Sequence, residues 1–408
     1  LALVVAGCSS SSGSNAAPTT AAAHATTSPA PATTTPGAAA VAFGSGNFYA
    51  PPATLPKGPH GTLIRYQAIP GYGPGGAKAY RILYTSVSVP GKPIVVSGTA
   101  LVPTTPAPAA GRNLLTIAHG TTGIADECAP SKSPQGTELS LTGSAASAGF
   151  LVAMSDYEGL GTPGVHPYLV GVSEGRGVLD AITAAGQLPN AHPGTKLAIA
   201  GYSQGGQGAL WADQLAATWT PKLHAVGTFA GAPASEVDII LAAAPSLARA
   251  GGFGYMLIAG LHAAYPKADL AQILTPTGLH RIGDVDHGCA RQVIIAFAST
   301  PASELISGKG ASTGEWAKLA KANDPGQVKT PDPTLIIQSQ ADDTVPIAFS
   351  ATLLKRMCFH GQVAQRIVLH QGMGHTAAAI PAYQTAMTWL LARFQPHPPP
   401  VVDDCRAR

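Results

Sequence analysis

Charge is scarce in this sequence. Only 11% of its 408 residues are Asp, Glu, Lys or Arg, and the net charge is +3. No basic cluster or stripe is present, which excludes the electrostatic footprint of a nucleic-acid binder. Cysteines at C-x-x-C spacing and histidines at H-x-x-x-H spacing are both missing. His287 beside Cys289 is the nearest approach to a ligand pair, so no metal is expected. Long apolar runs are missing as well: the apolar segments between residues 237 and 274 stop short of the ~18 residues that a membrane-spanning helix needs. Glycine and proline are abundant instead, at 47 and 36 residues. That weakens propensity as a guide, so position and spacing say more than composition. The length allows one large core or a core with a substantial insertion.

One stretch organises the rest. Lys196 to Ala200 is mostly apolar and runs into Gly201-Tyr202-Ser203-Gln204-Gly205, and a helix-compatible segment from Gln207 to Ala217 follows. A buried strand, a tight turn carrying a serine and then a helix form a nucleophile elbow. The turn leaves no room for side chains two positions before and after the serine, hence Gly201 and Gly205. N–H groups at the start of the helix then face the reaction centre. The pattern alone is weak, because G-x-S-x-G arises by chance in about one of three chains this rich in glycine. It occurs around Ser173 and Ser312 too. Ser312 has no strand before it and reads as loop; Ser173 opens a helical pattern and reads as a helix-entry residue. Only Ser203 has strand, turn and helix in order.

Around this elbow, apolar runs alternate with helical segments. Arg81 to Val89 and Pro93 to Val102 read as antiparallel strands, Leu114 to Ala118 and Phe150 to Met154 as buried strands, and Val172 to Leu188 as a helix. His224 to Ala230, Thr334 to Gln338 and Arg366 to Leu369 complete the strands. This alternation predicts a parallel sheet with helices on both faces. Between residues 235 and 332 it breaks: Val237 to Leu247, Tyr255 to Ala264 and Leu270 to Leu274 read as apolar helices of a cap over the pocket. The strand ending at Ala118 leads into His119-Gly120-Thr121-Thr122-Gly123, where Gly120, Thr121 and Thr122 are candidates for one half of an oxyanion hole and the N–H of Gln204 for the other. Asp156 and Glu158 follow the next strand and read as structural. Asp342, three positions before Val345-Pro346, follows a strand and suits the acid that orients a histidine; His375, in a glycine-rich loop, suits that histidine. His370, continuing its strand, reads as a partly buried structural residue. The chain order Ser203, Asp342, His375 is that of the α/β-hydrolases.

Leu1 to Gly7 reads as the end of an apolar signal core, and Val5-Ala6-Gly7-Cys8 resembles the lipobox of bacterial lipoproteins, in which the cysteine is acylated. Residues 8–44, rich in Ser, Thr, Ala and Pro, are expected to form a disordered tether. Apart from Cys8, four cysteines remain, which in an exported chain points to two disulfides with three possible connectivities. Cys358–Cys405 is favoured because it pins the C-terminal tail, at a stabilisation of roughly 4 kcal/mol in the chain-entropy model. Cys128–Cys289 is then the other pair.

In combination, His119 to Gly123 with Cys128 to Ser131, Asp156 to Gly161, Gly201 to Gly206 and the Asp342 and His375 loops resemble the secretory lipase family over roughly residues 45–405. The resemblance implies an α/β-hydrolase fold with a mostly helical cap insertion: core over 45–234 and 333–408, cap over 235–332. It also implies cleavage of acyl esters, with Ser203, His375 and Asp342 as the triad, and two disulfides. No cofactor is required. The implied partners are a small-molecule or lipid ester and, through Cys8, the outer face of a bacterial membrane; nucleic acid is excluded, and the protein is expected to be monomeric. An acyltransferase on the same triad, a non-catalytic lipid-binding lipoprotein and a peptidase are the competing readings.

Overall fold

The computed structural model describes residues 40–246 and 251–406. The signal core, Cys8 and most of the expected tether lie outside the described residues. Ten strands form one sheet: β1 (Val41–Ala42), β2 (Leu63–Ala68), β3 (Lys78–Val87), β4 (Pro93–Val102), β5 (Arg112–Ala118), β6 (Leu151–Ser155), β7 (Pro193–Tyr202), β8 (His224–Gly231), β9 (Thr334–Ser339) and β10 (Ala364–Leu369). Their order across the sheet is β1-β2-β3-β4-β6-β5-β7-β8-β9-β10. From β6 to β10 every neighbouring pair is parallel, while β2, β3, β4 and β6 pair antiparallel. Val41 and Ala42, expected within the tether, instead pair with Arg65 and Tyr66. That edge pairing satisfies backbone groups of β2 that would otherwise face solvent.

The parallel strands are apolar on both faces because both are covered. Along β7, Leu197 and Ile199 face one core, and Ala198 and Ala200 face the other. The first core is closed by α2 (Gly171–Ala185) and α3 (Gln204–Trp219), and the second by α1 (Gly143–Ser147) and the last helix, α11 (His375–Ala392). Between β8 and β9 the chain forms α4 (Val237–Ala243), α5 (Gly251–Ala264), α6 (Pro276–Arg281), α7 (Ala290–Phe297), α8 (Gly308–Ser312) and α9 (Gly314–Lys321); α10 (Ile347–Phe359) follows β9. These inserted helices have a core of their own, with Tyr255, Leu261, Phe297 and Trp316, which rests on Tyr168, Leu169 and Val170. None of the described helices is long and apolar enough to cross a membrane.

Two details of the insertion depart from expectation. The helix anticipated over Leu270 to Leu274 is only a 3₁₀ turn, Leu270–Gln272, because Leu274 is drawn into a bridge with Ile306. Ser312 is not in a loop but ends α8: the Ser307 hydroxyl accepts the Gly310 N–H and starts the helix there. The two ends of the insertion are tied together. Asp324 accepts the Val237 N–H at 2.7 Å, and Arg356 of α10 spans both ends, pairing with Glu236 at 2.5 Å and donating to the Pro325 carbonyl at 2.8 Å.

Disulfides join Cys128 to Cys289 and Cys358 to Cys405. The first links the loop after β5 to the start of α7, and the second fastens the tail to α10.

Candidate active site

β7 lies between β5 and β8, inside the region where strand order reverses, and ligands of such sheets bind at the carboxyl ends of the strands there. Ser203 occupies that end of β7. Its backbone is at φ 62° and ψ −121°, a strained setting for a residue with a side chain, typically costing about 1–3 kcal/mol. The two glycines explain why only this sequence can make the turn. A Cβ on Gly201 would lie 2.0 Å from the Gly205 carbonyl oxygen, and one on Gly205 would lie 2.0 Å from that of Ala118. The Ser203 N–H is anchored on the Gly231 carbonyl at 2.8 Å. The hydroxyl is thereby thrust clear of the sheet.

His375 begins α11 and brings Nε2 to 2.9 Å from Ser203 Oγ. Its Nδ1 lies 2.8 Å from Asp342 Oδ2 and 3.0 Å from Oδ1. The sensible tautomer has Nδ1–H donating to Asp342 and Nε2 accepting from Ser203. Burial by itself would raise the Asp342 carboxyl. The bond from His375, with the N–H groups of Val345 and Thr344 on Oδ1, outweighs that and holds it below the usual carboxylate range. Asp343 is exposed and points elsewhere, accepting the backbone N–H of His375 at 3.0 Å. Tyr202 reaches over to donate its hydroxyl to the His375 carbonyl at 2.7 Å. The imidazole is thus held at both its ring and its backbone.

The Gly120 to Thr122 loop lies beside Ser203: a Cβ on Gly120 would be 4.0 Å from Ser203 Cβ. The N–H of Gly120 is nevertheless withdrawn from oxyanion binding, because it donates to Glu138 Oε1 at 2.8 Å. No acceptor among the described residues takes the Thr121 N–H, and the Thr121 hydroxyl meets Tyr168 OH at 2.8 Å. Thr122 is fastened to the inserted helices, its carbonyl accepting from Ala290 at 2.8 Å. Gln204, as the first residue of α3, has no intrahelical acceptor for its N–H.

The other singled-out residues fall into supporting places. Asp156 is fully buried and accepts from Ser97 at 2.6 Å, from the Ser131 N–H at 2.8 Å and from the Ser131 hydroxyl. Glu158 takes the Ser173 hydroxyl at 2.5 Å. His370 is exposed rather than partly buried, because it stands past the last residue of β10, where it bonds Gln340 at 2.6 Å. Glu138, Tyr202 and Asp343 were missed from sequence. Asp343 could have been suspected from its place beside Asp342, whereas nothing near Glu138 in the sequence announces its bond to Gly120.

The model of the secretory lipase family matches residues 132–401. Lipase A of Moesziomyces aphidis is 25% identical over 343 residues, 77% of this chain and 72% of that protein. A Mycobacterium tuberculosis protein named a probable inactive lipase is 24% identical over 386 residues, 86% of this chain and 82% of that one. Among solved structures, Candida antarctica lipase A in its closed state superposes with a TM-score of 0.71 at 21% identity, covering 84% of each chain. The rice cell wall degrading esterase LipA of Xanthomonas oryzae does so with a TM-score of 0.67 at 19% identity, covering 82% of this chain and 98% of that one. With a match from Lys132 to Val401 laid over this sheet and this elbow, the chain belongs to the secretory lipase family, carboxylic ester hydrolases on the α/β-hydrolase fold.

Proposed function

We propose that this protein hydrolyses carboxylic acyl esters through an acyl-enzyme on Ser203. The observation that carries the reading is the continuous relay Ser203–His375–Asp342 at 2.9 and 2.8 Å. His375 takes the Ser203 proton as Oγ attacks the ester carbonyl, and Asp342 stabilises the imidazolium that results. The N–H of Gln204 and one from Thr121 or Thr122 receive the oxyanion; losing one such donor typically costs about 10²–10³ in kcat. The imidazolium then protonates the departing alcohol. Water, deprotonated by His375, cleaves the acyl-serine and releases the acid.

The names of the relatives point to lipid esters as the substrate class. Two disulfides suit an exported protein. Anchoring through an acylated Cys8 is part of the proposal, and incorporation of labelled palmitate that disappears in Cys8→Ser would support it.

One relative is named a probable inactive lipase, so a non-catalytic lipid binder is the rival reading. The strained elbow and the complete relay weigh against it, since a binding protein has no use for either. The deciding experiment is hydrolysis of p-nitrophenyl esters from acetyl to palmitoyl by wild type and Ser203→Ala. Turnover abolished in Ser203→Ala is expected, and the preferred chain length separates esterase from lipase. A wild type inert on every ester and on a fluorophosphonate probe would sink the catalytic reading.

A further inference from the structure

The second G-x-S-x-G segment, Gly171 to Gly175, takes no part in the chemistry proposed above, yet it is pressed directly against the helix that carries the elbow. A Cβ on Gly171 would fall 2.0 Å from Trp211 Nε1, and one on Gly175 would fall 2.9 Å from the backbone N of Ala212. Its glycines therefore serve the close approach of α2 to α3. Between them stands Glu174, completely buried. Its Oε1 accepts from the Leu169 N–H at 2.9 Å and from Gln204 Nε2 at 2.8 Å.

The same Gln204 amide nitrogen meets His166 Nε2 at 2.9 Å. His166 Nδ1 lies 3.0 Å from the Glu158 carbonyl, so that nitrogen carries the proton and Nε2 is left to accept. Both amide hydrogens of Gln204 are therefore used, one on each side. The circuit closes through Ser173, next to Glu174, which donates to the Glu158 carboxylate. Burial sets the protonation states of the two buried groups. It holds His166 neutral, pushed down to about 3, and lifts Glu174 to about 8, so that a neutral carboxyl faces the amide.

We propose that Glu174 is a positioning residue for the oxyanion hole, holding the Gln204 side chain, with His166, so that the Gln204 N–H stays aimed beside Ser203. The proposal rests on Ser203 being the nucleophile. Gln204 follows a residue at positive φ, in a turn whose backbone is held on the Ser203 side, by the bond from the Ser203 N–H to the Gly231 carbonyl. A side chain clamped at two points fixes its backbone where the negative charge develops. In this proposal the clamp acts only through the Gln204 N–H, so its loss falls on the transition state rather than on substrate binding.

The test compares kcat and KM on p-nitrophenyl butyrate for wild type, Ser203→Ala, Glu174→Leu, Glu174→Gln, Gln204→Leu and the Glu174→Leu/Gln204→Leu double variant, with Tm recorded for each. Glu174→Leu is expected to lower kcat about 10–100-fold with KM within about twofold. Glu174→Gln keeps an acceptor for the Gln204 amide and should recover kcat to within about threefold of wild type. The double variant should lose no more than the worse single one, because the two residues act as a unit. Losses that multiply, or that fall on KM, overturn the proposal. If Glu174→Leu fails to fold, Gln204→Leu carries the test alone, since it leaves the Glu174 bond to Leu169 in place. Full kcat in that variant overturns the proposal. Retained activity in Ser203→Ala would instead remove the nucleophile itself, a separate failure.

Discussion

Two segments of this protein carry the same five-residue pattern and do opposite things with it. Around Ser203 the glycines permit a strained turn, and the serine faces the open end of the sheet. Around Ser173 the glycines permit two helices to touch, and the serine is buried against Glu158. The carboxylates that accompany them diverge in the same way. Burial works against both, but Asp342 is held ionised by His375 and two backbone N–H groups, whereas Glu174 has only an amide and one N–H and is kept neutral. Environments that push acids apart in this way would, under the proposed function, separate a charge used in chemistry from a group used to hold position. The pattern by itself assigns neither role; what precedes it does.

The sharpest way to break the comparison is to remove each hydroxyl. Ser203→Ala should lower kcat/KM about 10⁴–10⁶-fold while leaving the melting temperature nearly unchanged. Ser173→Ala should do the reverse, costing about 1–3 kcal/mol of stability because the Glu158 carboxylate loses its donor, with activity within about tenfold of wild type. Equal losses of activity in the two variants would end the distinction. Next in size are the adjacent acids. Asp342→Asn should cost about 10⁴ in kcat by upsetting the His375 tautomer. Asp343→Asn, which disturbs one bond to the His375 backbone, should cost about tenfold at most. If Asp343→Asn proves the more damaging, the acid has been misassigned.

The disulfides offer a third contrast. Replacing either pair by serines should remove about 2–5 kcal/mol. Only the Cys128–Cys289 pair should also reduce kcat, by about tenfold. Gly123 packs against Cys128 and Cys289, and Thr122 is bonded to Ala290, so this bridge holds the loop proposed to receive the oxyanion. Cys358–Cys405 only fastens the tail. An equal drop in kcat for both pairs would show that general loosening, rather than the loop, is responsible.

Much of this arrangement is legible in the sequence, for identifiable reasons. Leu114 to Ala118, Lys196 to Ala200 and Thr334 to Gln338 read as strands because a sheet covered on both faces leaves few polar positions to confuse the pattern. Ser203, Asp342 and His375 each stand just past such a run, which is how they were singled out, and the structure brings all three within hydrogen-bond reach. The sequence offers Gly120, Thr121 and Thr122 alike as oxyanion candidates and does not separate them. Glu138 occupies the Gly120 N–H from a 3₁₀ segment that has no regular period to announce it. The inserted helices were seen in part. Val237 and Tyr255 begin segments with clear apolar content, but the turn at Leu270 depends on a bridge to Ile306, a contact far along the chain. Glu174 lies inside the Gly171 to Gly175 pattern, where nothing in the sequence distinguishes it. Its role depends on α2 lying against α3, which no local pattern states.

The pH dependence of stability is the most direct check on the two carboxyl groups, because it needs no substrate. Glu174 moves from an ordinary value near 4.5 to about 8 on folding. Between those values the unfolded chain has released a proton that the folded protein keeps, so stability falls as pH rises from about 4.5 to about 8 and levels off beyond. Asp342 runs the other way. Its depressed value adds stability that is fully present above the unfolded carboxylate range and is lost as pH falls through the folded value. The groups facing Glu174 do not reverse its sign: His166 is already neutral, and burial keeps Tyr157 and Tyr168 protonated throughout. Thermal melts from pH 3 to 9 should therefore show Glu174→Gln gaining on wild type as pH climbs from about 4.5 to about 8, with the difference constant at higher pH. The deficit of Asp342→Asn should shrink as the medium is acidified below the carboxylate range. A Glu174→Gln difference that stays flat across the whole span would mean that the folded protein carries Glu174 as an anion. The amide of Gln204 would then be held by a charge, and the contrast between the two motifs would reduce to geometry alone.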